Sequence, residues 1–420
     1  MKRTRKTVTT LLATALITTG LMSGVTKADA ASGQTFKDVP KTHWAYSAVE
    51  TVAGKNLVAG YADGTYRPNG QVTRAELAAF LARAFDGNER GQEPFVDVAS
   101  NHWAVDAINE GIALGFIKPS EYPNSKFEPN KAMTRAEIAR WLSNGLVATN
   151  SDYKNAINEM ANSSLTLIPI PEFFKGGVNK SDLPYIGIAL GTGLLSGYTD
   201  ATFKPNGNTS RAEVAAILIR YLDAMKKNPE QFVGLNELRE VANTGSNMNT
   251  IGNFKSNNEN RTFKDLRNEG YAFKNGIGTS YVNRVLMVDM RDTKKPKGIY
   301  KNMLLDSKGE TTLGASLKPG GFYYGVEHRF VPSKSGIDAA SYLYSNGRPE
   351  LLTTWAVIPE IAQKFGFETG TQVNFKTLQI GKSKNMWFTG EVYPMYFEEF
   401  PNSMSISHTV NGKSFVFFRK

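Results

Sequence analysis

A chain of 420 residues, 41% hydrophobic and 21% charged, is ordinary globular material and long enough for two to four domains. It has no cysteine, which excludes thiol catalysis, disulfide staples and thiolate metal sites, and its four histidines make a histidine-rich metal centre a poor expectation. The net charge of +10 is uneven: +4 falls in residues 1–30, −2 in residues 31–225 and +8 in residues 226–420.

Residues 1–30 read as a signal peptide. Lys2, Arg3, Arg5 and Lys6 make a basic start, Val8 to Val25 is mostly apolar or small, and Ala28-Asp29-Ala30 supplies a small-x-small cleavage site, so the mature chain is expected to begin at Ala31. No later segment has the roughly 20 uninterrupted apolar residues of a membrane span, and no transmembrane segment is expected in the mature protein.

Self-comparison divides the chain beyond residue 30. Phe36-Lys37-Asp38-Val39 and Phe95-Val96-Asp97-Val98 open two units, followed by His43-Trp44-Ala45 and His102-Trp103-Ala104. The spacing of Trp44, Ala48, Val49, Val52 and Ala53, and of Trp103, Ala107, Ile108 and Ile112, predicts a first helix in each unit. A turn-rich stretch comes next, "GYADGTYRPNG" (60–70) or "PSEYPNSKFEPN" (119–130). Then T-R-A-E, at Thr73–Glu76 and again at Thr134–Glu137, starts a second helix carrying Leu77, Phe80, Leu81 and Ala84, or Ile138, Trp141 and Leu142.

The third unit is diverged. "GYTDATFKPNG" (197–207) and Ser210-Arg211-Ala212-Glu213 match the earlier units, but Ser181 stands where Trp44 does, and "YIGIALGTGLL" (185–195) fills the first-helix position. The arginines of the tetrapeptide are 61 and then 76 residues apart, which predicts an inserted loop within 146–181. The expected divisions are therefore repeats at 31–92, 93–150 and 151–225, followed by a separate domain at 226–420.

Three tandem copies with F-x-D-V, H-W-A, G-Y-x-D-G and T-R-A-E features resemble the S-layer homology repeat, the wall-anchoring module of exported bacterial surface proteins, over roughly residues 36–224. The resemblance implies an all-α, pseudo-threefold arrangement with one helix of each repeat meeting centrally. It also implies binding of secondary cell-wall polysaccharide carrying ketal-linked pyruvate, in grooves between the repeats.

The tetrapeptide has a local explanation in part. Thr-x-x-Glu before an apolar helix is a capping box, which accounts for Thr73, Thr134 and Ser210 and for Glu76, Glu137 and Glu213. It does not account for Arg74, Arg135 and Arg211, since a cation at the first helical position is disfavoured by about 0.3–1 kcal/mol. Two explanations are open. One is an anionic ligand, gripped by the guanidinium beside the helix N-terminus; the other is an internal salt bridge to a neighbouring repeat, through Asp38 or Asp97. By the resemblance, the three arginines are the polysaccharide-binding candidates, with the hydroxyl residues and glutamates in support. On that reading their joint replacement by alanine would abolish wall binding and leave the fold intact. Trp44 and Trp103 are candidates for stacking on a sugar ring, although their helical spacing equally suits a core position. Gly60, Asp63 and Gly64 read as turn residues shaping a groove wall.

Beyond residue 226 the texture changes. Residues 230–245 predict a helix ended by glycine and residues 246–261 a polar loop. Strands are expected at 281–290, 321–331 and 385–397, with a hairpin of 403–410 and 413–418 about Asn411-Gly412 and a short helix at 361–367. This predicts an α+β domain rich in antiparallel strands. His328 and His408 fall on apolar strand faces, where a packed histidine is the commoner case. Glu391, Glu398 and Glu399 are the candidates for a glycosidase pair. No G-x-S-x-G, H-E-x-x-H, P-loop or zinc-ligand spacing is present, so no catalytic residue, metal ligand or cofactor is assigned.

The function expected is an exported cell-surface protein, secreted to the wall or S-layer surface and anchored by its repeats on pyruvylated polysaccharide. Its C-terminal domain would present a binding or adhesive face; the alternative is a wall-anchored hydrolase acting on peptidoglycan or polysaccharide. S-layer proteins, or an acidic external ligand of the basic C-terminal half, are further candidate partners, and nucleic acid is not expected.

Overall fold

The computed structural model describes residues 34–85, 94–306, 308–310, 321–344, 359–392 and 405–420. The expected leader, residues 1–30, lies outside them.

Repeat one supplies α1 (Tyr46–Gly54) and α2 (Arg74–Ala84), and repeat two supplies α3 (Val105–Ala113) and α4 (Arg135–Thr149). The residues inserted before repeat three form a helix, α5 (Asp152–Asn162), where a loop was expected: Tyr153, Ala156 and Met160, at helical spacing, are buried. Then come α6 (Pro171–Lys175), α7 (Leu183–Gly191) and α8 (Arg211–Ala224). In α1 the buried face is Ala45, Val49 and Val52, and in α3 it begins at Ala104 and Ile108. Trp44 and Trp103 stand one residue ahead of that face and are 66% and 61% exposed, so they are not core residues.

The repeats interlock in a cycle. Each second helix begins on the turn of the next repeat: Arg74 N–H donates to the Lys131 carbonyl (3.0 Å) and Ala75 N–H to that of Pro129 (3.0 Å). Arg135 and Ala136 do the same to Gly207 and Pro205, and Arg211 and Ala212 to Gly70 and Pro68. Inside this cycle Val72 N–H donates to Thr209 O (3.0 Å), Thr209 N–H to Met133 O (3.1 Å) and Met133 N–H to Val72 O (2.8 Å), closing a triangle. The first helices follow the same order, α1 packing on α8, α3 on α2 and α7 on α4. Two amides that a helix start normally leaves open are thus already used in every repeat.

The second half is fused to this assembly. α9 (Val233–Thr244), ended by Gly245 in the left-handed region, packs on α5 and α7. Contact there is so close that a Cβ on Gly191 would lie 2.7 Å from Leu235 Cα. The stretch expected as a polar loop contains α10 (Met248–Gly252) and β1 (Phe254–Ser256), each anchored by a buried apolar residue, Met248 and Phe254. After α11 (Phe263–Asn268) come β2 (Tyr271–Ala272), β3 (Gly278–Asp289), α12 (Lys301–Leu304), β4 (Phe322–Pro332), α13 (Ala339–Leu343), α14 (Pro359–Phe365), β5 (Lys384–Val392), β6 (Ser405–Val410) and β7 (Lys413–Arg419).

Among the described residues two antiparallel sheets result, ordered β2-β3-β4-β5 and β1-β7-β6. The hairpin register is the expected one, Ile406 opposite Phe417 and His408 opposite Phe415, with both turn residues Asn411 and Gly412 at positive φ. Val285, Met287, Phe322 and Val326 of the larger sheet pack with Phe415 and Phe417 of the smaller. Its other face, through Leu286, Val288, Tyr323 and Trp387, joins the core of the repeats. Arg284 of β3 adds a polar tie: it pairs with buried Glu327 and donates from Nε to Leu165 O (3.1 Å). The architecture is a helical N-terminal region followed by antiparallel sheets, as the sequence indicates.

Candidate functional site

All three capping boxes form. Thr73 Oγ1 accepts from Glu76 N–H at 3.2 Å while the Glu76 carboxylate accepts from Thr73 N–H at 2.8 Å. Thr134 with Glu137 and Ser210 with Glu213 repeat both bonds.

The arginines turn away from solvent; Arg74, Arg135 and Arg211 are 7%, 4% and 3% exposed. Each meets the capping-box glutamate of the next repeat. Arg74 binds Glu137 through Nε (3.0 Å) and Nη2, Arg135 stands 3.5 Å from Glu213, and Arg211 Nη1 donates to Glu76 at 3.0 Å. Arg135 gives its remaining donors to the carbonyls of Phe203 and Ser196, and Arg211 to those of Tyr66 and Ala59; Arg74 Nη1 is shared between the Phe127 carbonyl (2.6 Å) and the Glu128 carboxylate (3.1 Å). The three ion pairs therefore run round the ring in the same order as the backbone bonds. Asp38 and Asp97 are not their partners. Those carboxylates accept the N–H groups of Tyr66 and Arg67, and of Phe127 and Glu128, and so pin the turn of their own repeat. In repeat three Glu172 takes this role with Phe203 and Lys204; a glutamate on α6 replaces the aspartate, a match the F-x-D-V pattern did not reveal.

These buried ion pairs argue against the expectation that the fold survives loss of the three arginines. Removing Arg135 or Arg211 leaves a partly buried carboxylate and two carbonyls without their donor, and removing Arg74 leaves Glu137, Glu128 and one carbonyl so, a change that typically costs about 3–5 kcal/mol. The structure also corrects the idea that open helix amides wait for an anion, since neighbouring carbonyls occupy them.

Two crevices nevertheless open beside the ring. One, about 140 Å³, lies between repeats one and two, lined by Gly60, Tyr61, Glu76, Arg83, Trp103 and Arg211. The other, about 170 Å³, lies where repeat three meets repeat one, lined by Trp44, Arg135, Gly197, Tyr198, Glu213 and Arg220. In both, a tyrosine hydroxyl reaches the glutamate, Tyr61 to Glu76 at 3.4 Å and Tyr198 to Glu213 at 3.2 Å, and the ring arginine lies over the tyrosine face. Each tryptophan stacks on the histidine before it, at 5.9 Å and 5.8 Å, and keeps its ring in solvent. Gly60 is required by close approach, since a Cβ there would lie 2.3 Å from the Phe36 ring; Asp63 holds the turn through Thr65 N–H and Arg67. Arg83 and Arg220 are groove residues that the sequence reading missed. Their signal was available: each follows its capping-box glutamate by seven residues, two turns along the same helix face.

Between repeats two and three the corresponding positions differ. Tyr122 is buried and accepts from Trp141 Nε1 (2.9 Å), Ser181 replaces the tryptophan, and Asn144, buried and bound by Lys118, replaces the second arginine. Arg140 stands where Ala79 and Ala216 stand in the other repeats. It pairs with Asp182, approaches Glu121 at 3.7 Å, and lies 4.5 Å over the Tyr185 ring.

In the second half, His328 packs edge-on to Phe388 and His408 is buried. Desolvation pushes the His408 pKa down to about 4, so its ring is neutral at neutral pH. Glu391 lies on β5 opposite Tyr323, while its side chain and residues Glu398 and Glu399 fall outside the described residues. A cleft of about 460 Å³ on the seam with repeat three is lined by Glu237, Asp289, Arg291 and Lys297 and continues past Lys295. Burial raises the Glu237 pKa to about 7, but its oxygens accept from Asn247 Nδ2 (2.7 Å) and Ile299 N–H (3.1 Å). Asp289, also desolvated, is held below the usual carboxylate range by two bonds from Arg291. Among the described residues no cluster of acidic or histidine side chains could hold a metal ion, and no helix is long and apolar enough to cross a membrane.

Comparison with known proteins fits this geometry. The S-layer homology domain family matches residues 35–78, 94–139 and 178–215, so the chain carries three tandem repeats of that kind. It is 28% identical over 250 residues to an S-layer protein of Bacillus licheniformis, covering 56% of this chain and 26% of that protein. It is 35% identical over 120 residues to a cellulosome-anchoring protein of Acetivibrio thermocellus, covering 27% and 26%. Against cell surface glycoprotein 1 of the same organism it is 31% identical over 184 residues, covering 42% and 8%. The chain thus spans about a quarter or less of the length of these relatives. S-layer homology domains bind cell-wall polysaccharide, and the protein is accordingly a secreted, cell-surface or wall-associated one.

Proposed function

We propose that the three S-layer homology repeats, closed as a pseudo-threefold ring, hold the protein non-covalently on pyruvylated secondary cell-wall polysaccharide. The observation that carries this is the pair of inter-repeat grooves, each joining an exposed tryptophan of one repeat to tyrosine and arginine side chains of its neighbours. An exposed indole offers a face for a sugar ring, and a guanidinium at the same mouth suits the carboxylate of a pyruvate ketal. Two weak grooves on one rigid body gain from simultaneous attachment to a polymer, by roughly 10²–10⁴ over either alone. The ring arginines Arg135 and Arg211 form the groove floor, with Thr73, Thr134, Ser210 and the three glutamates fixing their positions; Arg74 has the same role under the middle repeat pair.

Residues 226–420 present a binding or adhesive face outward. The hydrolase alternative has less support: the seam cleft brings Glu237 and Asp289 to one cavity, but both carboxylates are committed to bonds within the protein. Arg291, Lys295 and Lys297 on the same cleft suit S-layer proteins or another acidic external partner.

The test is co-sedimentation of the full chain with purified wall sacculi before and after acid removal of the ketals. Binding to intact sacculi, lost on removal of the ketals and weakened at least tenfold when Trp44 and Trp103 are both changed to Ala, is expected. Undiminished binding to stripped sacculi contradicts the pyruvate assignment.

A further inference from the structure

We infer that the grooves are not equivalent: two accept the acidic sugar, gripped by Arg83 and Arg220, and the third is shut by Arg140. This rests on the proposed anchoring and assigns its charge recognition to residues outside the T-R-A-E motif.

The ring cations are already spent. Arg211 gives Nε to Tyr66 O (2.7 Å), Nη1 to Glu76 and Nη2 to Ala59 O (2.7 Å), so a ligand carboxylate would have to displace bonds that hold the ring. Arg135 is committed in the same way. Among the described residues Arg83 has no ion pair with any carboxylate, and Arg220 has none either and donates from Nη1 to Leu194 O at 3.4 Å. Both are exposed at the groove mouth. Each open groove thus holds two guanidiniums against one capping-box carboxylate. At Arg83 partial burial, and after it the neighbouring Arg211 charge, lower the affinity for a proton. An incoming carboxylate relieves the repulsion and can take two parallel N–H bonds from a fork that pairs with no carboxylate among the described residues.

The middle position shows what closing such a groove takes. Ala79 and Ala216 leave room above the glutamate in the open grooves; Arg140 fills that room. It is then neutralised by Asp182 and Glu121 and covered by Tyr185. Asn144 supplies no charge where Arg83 and Arg220 would, and Ser181 supplies no ring where Trp44 and Trp103 would. An anion entering here would meet two carboxylates already in place on the one guanidinium that faces it.

Isothermal titration of the full chain with a methyl hexoside carrying a 4,6-pyruvate ketal tests this. The wild type should take two equivalents, R83A and R220A one each, R83A/R220A none, and R140A two. Chemical unfolding of each variant checks that the fold is retained, and R83K with R220K should recover part of the lost binding. Three equivalents for the wild type, or two for R83A/R220A, would overturn the assignment while leaving anchoring in place. Sedimentation with sacculi but no uptake of the hexoside would overturn the carboxylate grip alone. Binding to neither overturns anchoring and this inference together.

Discussion

The two open grooves and the closed one are built on the same tetrapeptide. Their capping boxes and backbone bonds correspond one for one and each motif arginine meets the next repeat's glutamate, yet only two keep a tryptophan, a tyrosine and an arginine without an ion pair among the described residues at an open mouth. The repeated motif is therefore scaffold. It fixes where three helices begin and ties each to the next repeat, while the positions around it decide what a groove can hold.

Stability measurements separate the two kinds of groove. Arg140→Ala should cost about 2 kcal/mol in urea unfolding, because it strips Asp182 and Glu121 of a half-buried partner; Arg83→Ala and Arg220→Ala should stay within about 0.5 kcal/mol. Equal costs at all three would erase the distinction between a plug and an uncommitted cation. A smaller effect should be uniform: Thr73→Ala, Thr134→Ala and Ser210→Ala each lose one cap bond and should each cost about 1 kcal/mol. A cap that mattered in only one repeat would show that the scaffold is less regular than its hydrogen bonds.

Much of this was legible in the sequence. Tandem copies exposed the three repeats, Thr-x-x-Glu gave the caps, and Asn411-Gly412 gave the hairpin and its register. The partners of the arginines were not legible, because the ion pairs join residues 63 and 135 positions apart and depend on how the ring closes. Trp44 was misleading for a related reason: helical spacing cannot separate the last solvent residue before a helix from the first core residue within it. In the second half, α10 and β1 were hidden because single buried residues, Met248 and Phe254, anchor otherwise polar stretches. Glu172 escaped because a longer acid on a different local helix does the work of an aspartate.

On the division of work proposed here, the motif arginines hold the ring, and other arginines would meet the ligand. Urea unfolding of Arg211→Ala beside Arg83→Ala puts that division of labour to the test. A loss of about 3–5 kcal/mol for Arg211→Ala, with Arg83→Ala indistinguishable from wild type, is the predicted result. An Arg211→Ala protein as stable as wild type would contradict it.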